Sequence, residues 1–506
     1  MVYANPIPVS QWETDLAFSL GQTVSMLRFA IAFFASVPIG AGLRLIKDPK
    51  ARHIYSVTTG LALVYFPFGN GIVLAVLPSL LTYVAMWRIR EYASTLAWLV
   101  DFTYLIGCHV TAASGTAWKQ GRLDFTGAQM VLTLKLISLA SCYQDGLRKD
   151  EELTEYQRKM KLERMPSLLE YLSYVFASGN LLAGPNFEMA DYLKFIEGRG
   201  PWAPNASRPV PSSWQPGLVR LAKAMLCLGI HMSLVPYFSP LTLEADSFYE
   251  YSLWRRLLIM YAAGTVARYK YYFAWAISEA GLIMSGFCFN GYAENGASDA
   301  KWDRYSNTRI RKVELCTSAA ELAAHWNICT GSFLRQYVYV RLTPKGRKPP
   351  FRAMLLTQIV SGIWHGLFPG YAMFFVGSAF MFDSAKIIYR YELSSKYPWL
   401  RTFVPWLVLK WIYTALCLNF LASAFLLLDF WPSLRVWRSV HFIPLFLMGA
   451  VMLTNIVNPP RKPKSGQSKS ASSSPTKDAS VVSAKERSPD LGKAAAAAAQ
   501  GSLKAE

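Results

Sequence analysis

Residues 54–87 read "IYSVTTGLALVYFPFGNGIVLAVLPSLLTYVAMW", 34 residues without Asp, Glu, Lys or Arg. A helix needs about 20 apolar residues to cross the hydrocarbon core of a bilayer, so this run is longer than one span requires. Its middle, "PFGNG" (67–71), is rich in turn residues. The run predicts two short or tilted segments, 55–68 and 71–87, joined as a helical hairpin. Two further uncharged runs, 411–428 and 439–460, carry the same message.

The whole chain fits this reading. Of its 506 residues 53% are hydrophobic and 17% charged, with a mean hydropathy of +0.21; soluble domains carry roughly 25% charge. Candidate membrane segments are 22–43, 55–68, 71–87, 93–113, 126–143, 168–183, 217–238, 252–267, 271–290, 318–340, 351–366, 370–389, 403–428 and 437–457. The expected architecture is an all-α polytopic membrane protein with about 11 transmembrane helices plus re-entrant and interfacial helices. Segment 168–183 is short and runs into "AGP", which suits a re-entrant helix buried in protein. Residues 1–460 read as one membrane-embedded domain. Residues 461–506, rich in Ser, Lys, Pro and Ala, hold too few large apolar residues to order themselves and read as a disordered basic cytoplasmic tail.

The net charge of +20 does not indicate nucleic acid, because no basic-aromatic module is present. The Lys and Arg residues lie mostly in connectors, the pattern that orients membrane proteins. "RLIKDPKAR" (44–52), "WRIRE" (87–91) and "RKDEELTEYQRKMKLER" (148–164) are assigned to the cytoplasmic side, and "LEADSFYE" (243–250) to the lumen. Strict alternation then places the basic stretch 291–317 in the lumen, a conflict removed if 252–290 crosses once as a broken helix or one segment is re-entrant. The acceptor pattern at Asn205 falls on the cytoplasmic side and is expected to stay unmodified. The seven cysteines form no CxxC pair and read as small buried residues, with no metal site.

Ionisable residues inside apolar segments are expensive and mark functional or pairing sites. Here they are Arg28, Asp101, His109, Lys135, His231, Arg268, Lys270, Glu279, His325, His365, Asp383 and Lys386. Arg28, Asp101 and Lys135 are expected to pair with one another, and His109 and His231 to be core or interface residues. In "ARYKYYFAWAISEAGL" (267–282), Arg268 and Lys270 face either an anionic ligand or a neighbouring segment, and Glu279 neutralises a cation from next door. "KWDRYSNTRIRKVEL" (301–315) is amphipathic and basic and reads as interfacial.

One histidine stands apart. "SGIWHGLFPGY" (361–371) puts His365 in a glycine-framed run with no charged residue from 353 to 382. Burial favours the neutral, proton-accepting imidazole, which suits a general base. Asn327, in "HWNICT" (325–330), can orient that imidazole or donate to a developing oxyanion. No GxSxG elbow, HExxH or clustered Cys/His pattern is present. A His–Asn pair without a nucleophilic serine suits direct acyl transfer to a substrate hydroxyl.

"WHGLFPGY", "HWNICT" and "KWDRYSN…VEL" resemble the membrane-bound O-acyltransferase (MBOAT) superfamily, more narrowly its lysophospholipid acyltransferase branch. "FTYLIGCHV" (102–110), "GAQMVLTLKLIS" (127–138), "MPSLLEYLSY" (165–174) and "GTVARYKYYFAWAISEA" (264–280) are similar to its plant members, and the match runs over nearly all of 15–460. The resemblance implies an MBOAT-type fold around an intramembrane tunnel, in a multi-pass protein of the endoplasmic reticulum. It implies acyl-CoA as co-substrate, a lysophospholipid acceptor, and no cofactor. It assigns His365 and Asn327 as catalytic and places Trp302, Asp303, Trp364, Gly366, Pro369, Gly370 and Tyr371 in motif positions that shape the site or touch substrate. Tyr271 and Glu279 match another family stretch, and Arg268, Lys270, Arg304, Arg341 and Arg352 are candidates for a basic mouth that takes the CoA phosphates. Association into homo-oligomers is left open. The sterol and diacylglycerol branch usually has "FYxDWWN" where this chain has "LAAHWNIC", which argues against it. A transporter or scramblase is the reading from another class, and no inverted repeat is evident for it.

Overall fold

The computed structural model describes residues 4–459, apart from 113–122, 178–179, 205, 207, 294–299, 344–346, 348–349 and 395–396. Asn205 and the tail 461–506 therefore lie outside the described residues.

Residues 253–284 contain no proline, and they form one uninterrupted 32-residue helix, Leu253–Met284. At about 1.5 Å per residue it is about 48 Å long, more than a bilayer core requires. The two segments expected over 252–290 are thus a single rod. The stretch 301–315 folds back against this rod, Glu314 pairing with Arg268 near its middle and Asn307 N–H reaching Glu279. Around it pack the helices Val24–Leu45, Trp214–Leu234 and Val404–Leu427. Small residues set the distances: a Cβ on Gly40 would run into the Gly281 carbonyl, and one on Gly217 would lie 2.7 Å from Met284 Sδ. Close approach at glycine is how membrane helices gain contact without a hydrophobic drive. His231 adds a polar tie, its Nδ1 3.0 Å from the Val266 carbonyl.

Six helices among the described residues are long and apolar enough to cross a membrane: Val24–Leu45, Pro49–Arg88, Arg90–Thr111, Trp214–Leu234, Pro369–Leu393 and Val404–Leu427. Phe430–Ser439 and Ile443–Val457, bent by 75° at their junction, make a seventh if taken as one span. The Thr126–Asp145 helix is long too, but it is wrapped in protein along most of its length and carries Lys135. Only 17% of the Trp214–Leu234 window is buried, and large apolar side chains such as Trp254 (72% exposed) and Ile456 (76% exposed) face outward. Such a surface belongs in lipid.

The hairpin expected over 54–87 is absent. Gly69 does adopt a positive φ of 52° and a short 3-10 turn, Gly69–Ile72, follows. The helices Pro49–Phe68 and Val73–Arg88 nevertheless run on as one 40-residue element, so the basic stretches 44–52 and 87–91 sit at its two ends. Segment 168–183 is broken into Leu168–Val175 and Asn180–Ala183, each too short to span.

Arg28, Asp101 and Lys135 do not pair with one another; each finds a local partner. Arg28 Nε lies 2.7 Å from Glu13 Oε1, and its guanidinium also donates to the Ile7 and Pro8 carbonyls. That guanidinium, with the Ser10 donors, holds the Glu13 carboxyl down to about 2. Asp101 accepts from Thr82 Oγ1. Lys135, fully buried, donates to Asn180 Oδ1 at 2.6 Å and sits 4.5 Å from the Tyr174 and Phe187 ring centroids. All seven cysteines are free, and six are buried.

The glycine crossing is testable. Gly40→Ala places a methyl group against the Gly281 backbone, an overpacking that costs about 1–3 kcal/mol. Thermal unfolding in detergent is expected to start several degrees lower, whereas Gly449→Ala, with nothing within 4 Å of the new Cβ, is expected to melt with the parent. Equal melting of both variants would contradict the crossing.

Candidate active site

The Phe351–His365 helix stops where its sequence requires. Gly366 has φ +141°, and a Cβ there would lie 3.0 Å from Tyr371 Cε2, so only glycine fits this turn. Pro369 opens the next helix, Pro369–Leu393, in its first turn, where a missing N–H costs nothing. Gly370 N–H donates to the Leu428 carbonyl at 2.6 Å, and a Cβ on it would run into the Ala424 and Leu428 carbonyls. Trp364 is held from both ends: its indole Nε1 donates to the Met130 carbonyl at 2.9 Å, and its own carbonyl lies 3.1 Å from His109 Nε2. These contacts fix the backbone on either side of His365.

The His365 ring sits among four aromatic rings: Trp364 at 4.7 Å between centroids, Phe375 at 5.0 Å, Phe425 at 5.1 Å and Tyr371 at 5.8 Å. It is half-buried, and no described residue hydrogen-bonds its nitrogens. The result is an apolar cage around an imidazole that no described residue hydrogen-bonds.

Asn327 comes from a different part of the chain. Residues 301–315 are not an interfacial helix; only Ile310–Glu314 is helical, and Tyr305–Thr308 are buried. Their backbone groups find tertiary partners instead of helical ones. Asn307 N–H donates to Glu279 Oε1 at 2.7 Å, and the Asn307 carbonyl accepts from Ile328 N–H at 2.9 Å. Glu279, 1% exposed, also takes Arg220 Nη1 at 3.0 Å, the neighbouring cation expected for it. Asn327 has left-handed dihedrals (φ 46°, ψ 51°) and precedes the short Ile328–Phe333 helix. Its Oδ1 accepts from Asn307 Nδ2 at 3.2 Å, while Asn307 Oδ1 accepts from Cys329 N–H at 3.0 Å. A backbone N–H can only donate, so this last bond fixes which end of the Asn307 amide faces Asn327. Asn327 must then accept through Oδ1, and its own NH₂ is left to donate elsewhere.

Aromatic packing and a shared wall join the two halves. Trp326 packs on Trp275 (4.8 Å), Tyr272 (5.7 Å) and Tyr271 (5.8 Å) of the long helix. The Ile328–Phe333 helix packs against the Thr126–Asp145 helix, which also receives the Trp364 indole.

The remaining candidates fall in several places. Arg268 is engaged with Glu314 through two bonds of 2.8 and 2.7 Å and with Asn419 Oδ1 at 2.9 Å. Arg304 pairs with Asp191 at 3.2 Å and Arg341 with Asp145 at 2.5 Å. Asp303, at the surface, accepts from Arg309 and Asn290. Trp302 packs on Phe289. Lys270 lies beside the Tyr271 ring, and Arg352 is exposed at the start of the His365 helix. Sequence reasoning gave no role to Asn307, or to His109 beyond the core, although the first stands in the "WD…N…E" pattern and the second in "FTYLIGCHV". No group of three or more His, Cys, Asp or Glu among the described residues is placed to hold a metal.

The family model described as "MBOAT, membrane-bound O-acyltransferase family" matches residues 110–427. "Lysophospholipid acyltransferase 1" of Arabidopsis thaliana is 40% identical over 455 residues, 89% of this chain and 97% of the relative. "Lysophospholipid acyltransferase 2" of the same plant is 41% identical over 456 residues, again 89% and 97%. The human "Membrane-bound glycerophospholipid O-acyltransferase 2" is 33% identical over 422 residues, covering 79% of this chain and 78% of that one.

The Arg268–Glu314 pair gives a direct prediction. Arg268→Met leaves a carboxylate largely buried and unpaired, a cost of about 3–5 kcal/mol. The variant is expected to accumulate poorly and melt early, and Arg268→Met/Glu314→Leu to recover much of that loss. A well-folded Arg268→Met protein whose only defect is a raised KM for its acyl donor would contradict the structural role.

Proposed function

The chain belongs to the membrane-bound O-acyltransferase family and is an acyltransferase of its lysophospholipid branch, and from this footing we propose that it carries an acyl group from acyl-CoA to the free hydroxyl of a lysophospholipid, with His365 as general base and Asn327 as oxyanion donor. The carrying observation is the His365 ring, unpartnered at its nitrogens among the described residues, inside an aromatic cage whose backbone is pinned by Trp364, Gly366 and Gly370.

The chemistry closes with these two groups. The lysophospholipid hydroxyl gives its proton to His365 as its oxygen attacks the thioester carbon. The carbonyl oxygen becomes an oxyanion, which the Asn327 NH₂, not taken up by Asn307, stabilises. Collapse expels the CoA thiolate, which recovers the proton from the imidazolium. Both substrates are held together, so no covalent acyl-enzyme is needed. The four rings exclude water, which would otherwise hydrolyse the thioester.

Arg352 and His365 stand at opposite ends of one helix, about 20 Å apart by helical rise. That spacing suits a nucleotide held at the surface by Arg352, with its thioester reaching inward along the expected tunnel. Arg268, Arg304 and Arg341, already paired with carboxylates, are poorer choices for the phosphates. The endoplasmic reticulum, where lysophosphatidylcholine and related acceptors are remodelled, is the proposed site of action.

Microsomes from cells without their own activity provide the assay. With acyl-CoA and a panel of lysophospholipids, the parent chain is expected to form phospholipid. His365→Ala is expected to lose at least about 10³-fold in turnover, and Asn327→Ala about 10²-fold, at equal protein. Undiminished turnover in His365→Ala would overturn the assignment.

A further inference from the structure

We infer that Asn307 is a positioning residue that sets which end of the Asn327 amide faces the reacting acyl carbonyl. This rests on the proposed role of Asn327. Asn307 reaches the Asn327–Cys329 turn at three points: its carbonyl accepts Ile328 N–H at 2.9 Å, its Oδ1 accepts Cys329 N–H at 3.0 Å, and its Nδ2 donates to Asn327 Oδ1 at 3.2 Å. Asn307 is itself 1% exposed and is fixed by its N–H bond to Glu279, so it has little freedom to turn.

The amide at 327 is symmetric in shape and opposite in chemistry at its two ends. If it rotated by half a turn, its carbonyl oxygen would face the oxyanion and repel it. Only a donor at position 307 prevents that, and only a side chain that also accepts from Cys329 N–H can offer the donor in this place. Asparagine satisfies both demands. Aspartate keeps the acceptor and the size, loses the donor, and turns a hydrogen bond into a repulsion with Asn327 Oδ1.

The test is a double-mutant cycle on the full-length protein in microsomes, with acyl-CoA and lysophosphatidylcholine as probes. Asn307→Asp is expected to lower kcat by about 10²-fold, close to the loss in Asn327→Ala, with the KM for acyl-CoA within about twofold of the parent and the thermal unfolding onset little changed. Asn307→Ala/Asn327→Ala is expected to be no slower than Asn327→Ala alone, because Asn307 acts only through Asn327. Multiplying losses in the double variant, or parental kcat in Asn307→Asp, would overturn the positioning role. Parental activity in Asn327→Ala would instead overturn the reading of Asn327 on which it rests. If Asn307→Asp accumulates poorly, Asn307→Ser, smaller and uncharged, carries the same cycle. Recovery of at least tenfold in kcat with Asn307→Gln, relative to Asn307→Ala, would support a requirement for the amide; no recovery, with multiplying losses in the cycle, would overturn it.

Discussion

A carboxylate buried in a membrane helix has to be answered by donors, and Glu279 is answered from two directions. Arg220 reaches it at 3.0 Å from the adjacent helix, and Asn307 N–H reaches it at 2.7 Å from the connecting loop. The first bond ties two long helices together. The second draws an irregular loop inward, and irregular backbone is tolerated at depth only when every polar group is satisfied. Through Asn307 the same carboxylate settles the turn that carries Asn327. An intramembrane charge thus acts here as an anchor for the loop that carries Asn307.

The other buried charges follow a similar logic, each closed by its own partners. Arg28 closes on Glu13, Arg268 on Glu314, Arg341 on Asp145 and Lys135 on Asn180. His365 has a different setting: apolar rings surround it and no described residue hydrogen-bonds it. An imidazole with no hydrogen-bond partner among the described residues, beside a pinned glycine turn, fits the general base proposed above.

Much of this was legible in the sequence. The uncharged runs establish the membrane class, since nothing else accommodates 34 residues without charge. The "WHGLFPGY" turn shows its glycines and proline plainly, and the structure gives each a reason. What escaped was the direction of the chain after a turn and the partners of the charges. "PFGNG" does produce a positive φ at Gly69, but the helix resumes without reversing, as one 40-residue element, because a turn residue permits a reversal without compelling it. The two segments read in 252–290 were one helix because Arg268 and Lys270 look like a break in an apolar run, yet a buried carboxylate makes Arg268 affordable. Pairings such as Arg268–Glu314 and Arg341–Asp145 join residues 46 and 196 positions apart, a separation that no local pattern encodes. For the same reason Asn307 stood in view within a motif while its connection to Asn327 did not.

Direct transfer at His365 makes a distinctive claim: no protein side chain carries the acyl group, not even Cys329, which stands two residues from Asn327. Single-turnover incubation of the purified protein in lipid nanodiscs with radiolabelled acyl-CoA separates the two routes. Without acceptor the protein is predicted to acquire no covalent label, and on addition of lysophosphatidylcholine the label should appear in phospholipid in step with free CoA. Label that remains on the denatured protein, is released by hydroxylamine and is chased into phospholipid by lysophosphatidylcholine would contradict the account.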